Sequence, residues 1–476
     1  MALLEQKPRL SIFFVLLVSA IISRFYGIWE WDLVNDEHFS TVTVAAERYF
    51  SFVNPAYYSL VLLTHEIFGT GEWLPRLPAF LLAAISVPVL YFTWSRALGR
   101  NVALIASVIL IFSAWHLWYS QYARFYSGVF LFSSVAYYFF LKAIYVDRIS
   151  ILIWALVFSA LAISFHLTAV FVPVSASVAY FLIWIARKNL GDISIRTIKI
   201  YIIFSIVCGL ALLPFLINVL DNWVASGQTW GYGSILILPQ LIKYIQIPIV
   251  VMAFFGWLIV LNADKASAIF FLVLLIVPAL FFVIASPWMA ISPSYAFYIL
   301  PLSIILSGIA CEELRIQLSS HQSQVVSLLA LVLIISTLMP SFVSHFLDRR
   351  SLNFNSAVKF VGENYRSGDR VLTFIIGFKL PDDKENILLP YISEARDSYT
   401  DWRKELQGLL DVDNRTWIII SSKRKPLAYG LERWLLCNSK LVWRKHAVRL
   451  DYEVNGYEIY LVPRDNQRSN ELNSCI

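Results

Sequence analysis

Long apolar runs separated by short polar breaks occupy the chain from its start to about residue 348; beyond that the pattern changes. A helix that crosses a bilayer needs about 20 predominantly apolar residues, with a range of about 17 to 25. Runs of this kind predict spans at Leu10–Ile28, Leu74–Trp94, Val102–Trp118, Val129–Ile144, Ile149–Ser164, Leu167–Ile185, Ile200–Leu220, Ile245–Leu261, Ala266–Ala285, Tyr295–Ala310 and Val325–His345. The expected fold class is a polytopic α-helical membrane protein of about eleven transmembrane helices. Lys7 and Arg9 precede the first run, as in a signal peptide. That run is too long for one and no small-residue cleavage pattern follows, so it reads as a retained span.

From about Arg349 to Ile476 the apolar runs become short. Arg370–Ile376 and Thr416–Ser421 read as buried strands, and Val442–Val448 with Tyr457–Val462 as a late strand pair. Asn355–Tyr365 and Tyr399–Leu410 have the period of amphipathic helices. The expected organisation is therefore a membrane domain over residues 1–348, with a long first external loop at 29–73, followed by a small α/β domain over 349–476.

Charge sets the orientation. With the N-terminus inside, the inner loops carry Lys7, Arg9, Arg96, Arg100, Lys142, Arg148, Arg187, Lys188, Arg196, Lys199, Lys265 and Arg315. The outer loops carry only Arg48, Arg76, Arg124 and Lys243, an asymmetry that fits the positive-inside rule and contradicts its inverse. With eleven spans the C-terminus then lies outside. Composition agrees with a bilayer: 58% of the 476 residues are hydrophobic, 16% aromatic and only 15% charged, against about 25% charged in soluble domains. The net charge of +6 is spread over loops rather than gathered into the basic patch that a nucleic-acid partner would need. Of the four cysteines, Cys208 and Cys311 lie in apolar runs, while Cys437 and Cys475 lie in the polar tail and could pair.

Candidate chemistry gathers on the outer side under this topology. The loop from Trp29 to Trp73 is too long for a simple connector and contains the acidic pair Asp36-Glu37 and an apolar stretch, Tyr57–Phe68, of helical period. Gln121-Tyr122-Ala123-Arg124-Phe125-Tyr126 ends a span, Phe165-His166-Leu167-Thr168 joins two more, and an aromatic loop runs from Asn222 to Lys243. Such convergence of acid, cation and aromatic groups is what a site requires. Asp36 or Glu37 can act as a general base; the spacing alone fits a hydrated interfacial acid equally well. The guanidinium of Arg124 can bind phosphate oxygens bidentately, as can that of Arg76, and both also fit snorkelling interfacial arginines. His166 reads more readily as a hydrogen-bonded structural histidine than as a proton carrier.

Asn54-Pro55-Ala56-Tyr57-Tyr58, Phe68-Gly69-Thr70-Gly71-Glu72-Trp73-Leu74-Pro75-Arg76-Leu77-Pro78 and Gln121-Tyr122-Ala123-Arg124-Phe125-Tyr126 occur in that order after the acidic pair. The series resembles the polyprenol-phosphate-sugar-dependent glycosyltransferases of the C superfamily, in particular the branch with protein O-mannosyltransferases and lipid A aminoarabinose transferases. It extends over about Arg24 to Leu182 and thins afterwards to topology. The resemblance implies a catalytic acid at Asp36 with Glu37 beside it, and its motifs are matched by Pro55, Tyr57 and Tyr58, by Arg76 and Pro78, and by Ala123, Arg124 and Tyr126. Tyr57, Tyr58, Tyr122, Tyr126 and His166 are expected to line the substrate cavity, and Arg124, Arg76 and Lys243 to contact the donor phosphate. Two departures stand out: Asn54-Pro55 where relatives have Pro-Pro, and Phe297-Tyr298-Ile299-Leu300-Pro301 where relatives often have Arg-Tyr before a proline. The second shifts the phosphate contact towards Arg124, Arg76 and Lys243.

The implied activity is inverting transfer of a hexosyl or pentosyl group from a polyprenyl-phosphate donor. The acceptor is a glycan, a lipid or a protein, and the location is the plasma membrane, in bacteria the inner one. Membrane lipids are the other expected partners, and nucleic acid is not one. No cofactor is required; a divalent metal is possible, but no ligand spacing supports it. A flippase for lipid-linked sugars is the alternative, although no internal repeat is visible and the ionisable residues lie mostly at one face rather than mid-span. A non-catalytic membrane scaffold would leave the long first loop without a purpose.

Overall fold

The computed structural model describes residues 7–29, 37, 54–69, 71, 73–190, 193–207, 210, 217, 236–287, 291–317, 321–348, 354–373, 386–388, 414–421, 435, 437–448 and 454–463. Its contacts divide the chain into two compact units, Met1–Ile28 with Val44–Phe342, and Trp29–Thr43 with Val343–Ile476.

The first unit is a helical bundle. Helices meet the predicted spans at α1 (Leu10–Phe25), α3 (Leu77–Leu98), α6 (Tyr126–Tyr145), α7 (Ile149–Phe165), α8 (Phe171–Ala186), α11 (Lys265–Ala285), α12 (Leu300–Gln317) and α13 (His321–Asp348). Helix α2 (Pro55–Phe68) occupies the apolar stretch of the first loop, with Tyr57, Tyr58, Val61 and Thr64 buried and Leu63, Ile67 and Phe68 exposed. Of the span expected at Ile200–Leu220, residues 195–207 are helical and most of 208–220 lies outside the described residues. Among the described helices, five are long and apolar enough to cross a membrane alone, and seven if each of two bent pairs is one span.

Those bent pairs correct two sequence expectations. The run Val102–Trp118 is not one rod but α4 (Arg100–Phe112) and α5 (Ala114–Ser120), bent by 64° around Ser113. The run expected to start at Ile245 is α10 (Ile247–Ala263), preceded by α9 (Ile237–Ile245) at 90°. Apolar content fixes that a segment lies in the hydrocarbon layer; it does not fix the direction of the segment.

One end of the bundle is closed by caps. The Asp264 carboxylate accepts from the Ala266 and Ser267 N–H groups at 3.1 and 3.3 Å, starting α11, and from the Tyr145 hydroxyl at 2.5 Å, tying in the end of α6. Such caps are needed because an orphan backbone group in lipid costs several kcal/mol. At the same end the Arg9 N–H donates to the Tyr91 hydroxyl at 3.0 Å.

Close helix contacts rest on small residues. A Cβ on Gly256 of α10 would stand 1.9 Å from the Leu306 carbonyl oxygen of α12, so only glycine allows the two backbones to touch. Gly256→Ala should therefore lower the thermal unfolding temperature of the detergent-solubilised protein, with an overpacking cost of about 1–3 kcal/mol or more. Gly362→Ala, where a Cβ meets nothing within 4 Å, is the control and should be neutral or slightly stabilising. Equal melting of the two variants would contradict the contact.

In the second unit, α14 (Phe354–Asn364) packs on a five-stranded sheet of order β2-β1-β3-β5-β4. The strands are β1 (Arg370–Thr373), β2 (Asn386–Leu388), β3 (Thr416–Ser421), β4 (Lys440–Val448) and β5 (Val454–Val462). The first three are parallel; β5 runs antiparallel to β3 and β4 to β5, and the expected late strand pair is thus present. Ala357, Val361, Val371, Trp417, Ile419 and Ile459 form the core under α14. Asp369 clamps the entries of β1 and β3. It accepts from Arg415 Nε at 3.1 Å and Nη2 at 2.5 Å, from Trp417 Nε1 at 2.9 Å and from the Arg366 N–H at 2.9 Å. Burial alone would raise its carboxyl, but these donors outweigh burial and hold it below the usual range. Cys437 is half-buried, and the pairing considered with Cys475 involves a residue outside the described ones. The helix expected at Tyr399–Leu410 and Cys475 lie outside the described residues.

Candidate active site

The site is built behind the break between α4 and α5. Stopping a helix at Phe112 leaves the last carbonyls of α4 without helical donors. Arg24, fully buried near the end of α1, supplies them: Nη2 donates to Leu110 O at 2.9 Å and Nη1 to Ile111 O at 3.2 Å. The carbonyl end of α4 also offsets the arginine's charge. Nη2 lies 3.1 Å from His116 Nδ1. A guanidinium can only donate, so Nδ1 accepts and the ring proton sits on Nε2. Nε2 then donates to Ser86 Oγ at 3.0 Å, and Ser86 donates to Ala83 O at 2.7 Å. Gln121 holds the far end of α5, with Nε2 donating to Arg24 O at 2.7 Å and Tyr26 O at 2.8 Å.

After α5 the chain makes a tight turn in which the Arg124 N–H donates to Tyr122 O at 2.6 Å, and Tyr126 opens α6. Arg124 is half-buried. Its Nη1 donates to the Tyr58 hydroxyl at 3.3 Å and its guanidinium carbon lies 5.0 Å from the centre of the Phe125 ring. His166 stacks on Phe125, with centroids 4.2 Å apart and planes at 17°. Gly128 lets the start of α6 lie close against the end of α7, because a Cβ there would fall 2.2 Å from the Phe165 ring. Close packing of the His166 ring, and then the Arg124 cation, push this imidazole down to about 3, so it is neutral at ordinary pH. His166 Nδ1 lies 2.6 Å from Thr168 Oγ1, which donates to Tyr295 O at 2.9 Å.

The expected residues thus fall as follows. Tyr57 and Tyr58 are buried on α2; their rings meet edge to face, and the Tyr57 hydroxyl donates to Pro75 O at 2.9 Å. Tyr122 and Tyr126 are buried and both pack on Tyr119. Arg76 is fully buried and donates from Nη1 to Ile28 O at 2.9 Å, which ties the start of α3 to the end of the first helical segment. Arg124, Tyr57, Tyr58, Tyr126 and His166 therefore meet around Phe125. Lys243 is half-buried in the last turn of α9, and its neighbour Tyr244 packs on Trp115. Asp36 lies outside the described residues. Glu37 belongs to the second unit and is fully buried, which sets aside the hydrated reading for that member of the pair.

Sequence reasoning passed over Arg24, His116 and Gln246. Each had a signal: an ionisable or polar group inside an apolar run reads by default as functional. Among the described residues, no group of three His, Cys, Asp or Glu side chains is placed to hold a metal ion.

The fold is shared with solved structures of membrane enzymes, and one segment of the chain matches a glycosyltransferase family. Residues 54–218 match the family model described as dolichyl-phosphate-mannose-protein mannosyltransferase. The solved structure of ArnT from Cupriavidus metallidurans in the apo state aligns over 94% of this chain and 97% of its own, at TM-score 0.57 and 14% identity. The same protein bound to undecaprenyl phosphate aligns over 95% and 98%, at TM-score 0.55 and 13% identity. The archaeal oligosaccharyltransferase AglB from Archaeoglobus fulgidus, in complex with an inhibitory peptide and a dolichol-phosphate, aligns over 80% of this chain and 61% of its own, at TM-score 0.52 and 11% identity. No curated protein matches the sequence. The family match and the fold together indicate a glycosyltransferase.

Proposed function

We propose that the protein moves a sugar from a polyprenyl-phosphate donor to an acceptor hydroxyl or amine, with inversion at the anomeric carbon. The observation that carries this reading is Arg124, half-open on its turn and held between Tyr58 and Phe125. A planar cation braced in this way suits a phosphate, whose oxygens match its fork. The segment matched by the family model contains Tyr57, Tyr58, Arg76, Tyr122, Arg124, Tyr126 and His166. Two solved structures of the same fold hold polyprenyl phosphates.

In the proposed reaction Asp36 takes the proton of the acceptor. The acceptor oxygen or nitrogen then bonds to the anomeric carbon. The bond from that carbon to the phosphate oxygen breaks, and its electron pair leaves with the polyprenyl phosphate. Arg124 stabilises the departing charge, with Lys243 and Arg76 as further cations around the phosphate path. The acceptor is a glycan, lipid or protein. Transfer takes place on the outer face of the plasma membrane, with the N-terminus inside and the C-terminus outside.

Purified protein reconstituted in vesicles with a lipid-linked sugar separates transfer from flipping. Sugar appearing on an acceptor, with free polyprenyl phosphate released in equal amount, is the expected result. Movement of intact donor between leaflets without either product would establish the flippase instead.

A further inference from the structure

The second bent pair answers a question left by the first: what satisfies the amino end of the half-helix α5. Among the described residues only Asn54 and Gln246 combine a side chain with a positive φ. Gln246 has φ 79° and ψ 127°, at the 90° break between α9 and α10. Glycine would occupy such a backbone without strain, and a glutamine there needs a reason. Its side chain supplies one. It is buried, and Oε1 accepts from the Ala114 N–H, the first residue of α5, at 3.3 Å across 132 positions of sequence. The Gln246 N–H turns back to Ile242 O at 2.9 Å and Lys243 O at 3.2 Å, closing the end of α9. The two half-helices also meet through Trp115 on Tyr244, centroids 5.4 Å apart at 71°. One side of this junction leads along α5 to Arg124; the other carries Lys243.

We infer that Gln246 is a positioning residue for the donor phosphate, a latch that fixes the half-helix leading to Arg124 against the half-helix bearing Lys243. The inference rests on the donor proposed above. It differs from simple structural support in one respect: the strain of the latch and its hydrogen bond can be removed separately. Gln246→Met keeps the side-chain length and the strained backbone but has no oxygen to accept from Ala114. Gln246→Gly also loses the acceptor but relaxes the backbone.

A positioning role predicts that both variants raise KM for the polyprenyl-phosphate sugar about tenfold, the worth of one ordinary misplaced contact of about 1.4 kcal/mol, with kcat little changed. Their thermal stabilities should nevertheless diverge, the Gly variant melting above the Met variant. A donor KM that follows stability, or a folded variant of either kind with normal donor KM, would overturn the latch.

Hydrogen exchange on the unmodified protein needs no variant. Polyprenyl phosphate should protect peptides spanning residues 112–126 and 240–250 together; protection of the first alone would also overturn the inference. If the unmodified protein neither binds polyprenyl phosphate nor transfers sugar, the donor proposal falls and the latch with it. If it does both and the variants keep the normal donor KM, only the latch falls.

Discussion

Asp36→Asn should lower the sugar-transfer rate at saturating donor by about 100- to 10,000-fold, the usual cost of losing a general base. The amide keeps the size and most of the hydrogen bonding of the acid but cannot take the acceptor's proton. The effect should appear in kcat, because the base acts after both substrates are bound. Glu37→Gln is the necessary companion. Glu37 is fully buried, so its replacement should disturb folding as well as any chemistry. Rate must therefore be read beside expression and thermal unfolding for both variants. A well-folded, fully active Asp36→Asn would remove the proposed mechanism. An inactive, well-folded Glu37→Gln beside an active Asp36→Asn would move the base by one residue.

Arg124→Ala should cost about 100- to 1,000-fold in transfer, comparable to deleting one preorganised donor to a developing anion. Arg124→Lys should recover only part of that. Lysine keeps the charge, but it has neither the fork that fits two phosphate oxygens nor the flat face that lies against Phe125. Transfer kinetics with polyprenyl-phosphate sugar, with melting measured in parallel, decide the matter. Normal transfer by Arg124→Lys would show that the phosphate lies elsewhere, and Lys243→Ala would then be the next variant to measure.

Much of the architecture was legible because hydrophobic length is a strong signal. The run expected at Ala266–Ala285 is the helix Lys265–Ala285, and the expected strand Thr416–Ser421 has the same bounds in the sheet. β2 was missed because three residues, Asn386-Ile387-Leu388, carry no readable period. The breaks were missed for a different reason. Ser113 and Gln246 are single polar residues inside apolar stretches, and averaging over a window hides them. Pro248, in the first turn of α10, was the available clue to a helix start after Gln246. Arg124, Tyr57, Tyr58 and His166 were nominated separately from three distant segments, and the structure brings them around one ring, Phe125. Arg24 and His116 could not be paired from sequence, because their contact spans 92 positions and depends on the unforeseen bend of α4 into α5.

The two half-helices also bear on how the protein is made. α5 has seven residues and α9 nine, which at a rise of about 1.5 Å per residue gives lengths of roughly 10 and 14 Å. Neither approaches the roughly 30 Å of a bilayer core, so neither can enter the membrane as a span on its own. The Ala114 amide meets its acceptor only once Gln246 has left the ribosome, 132 residues later. Until then the turn carrying Arg124 lacks one of its supports. The spans before it can be threaded in order, but this region matures late in synthesis, when the second half of the chain arrives to seal the first.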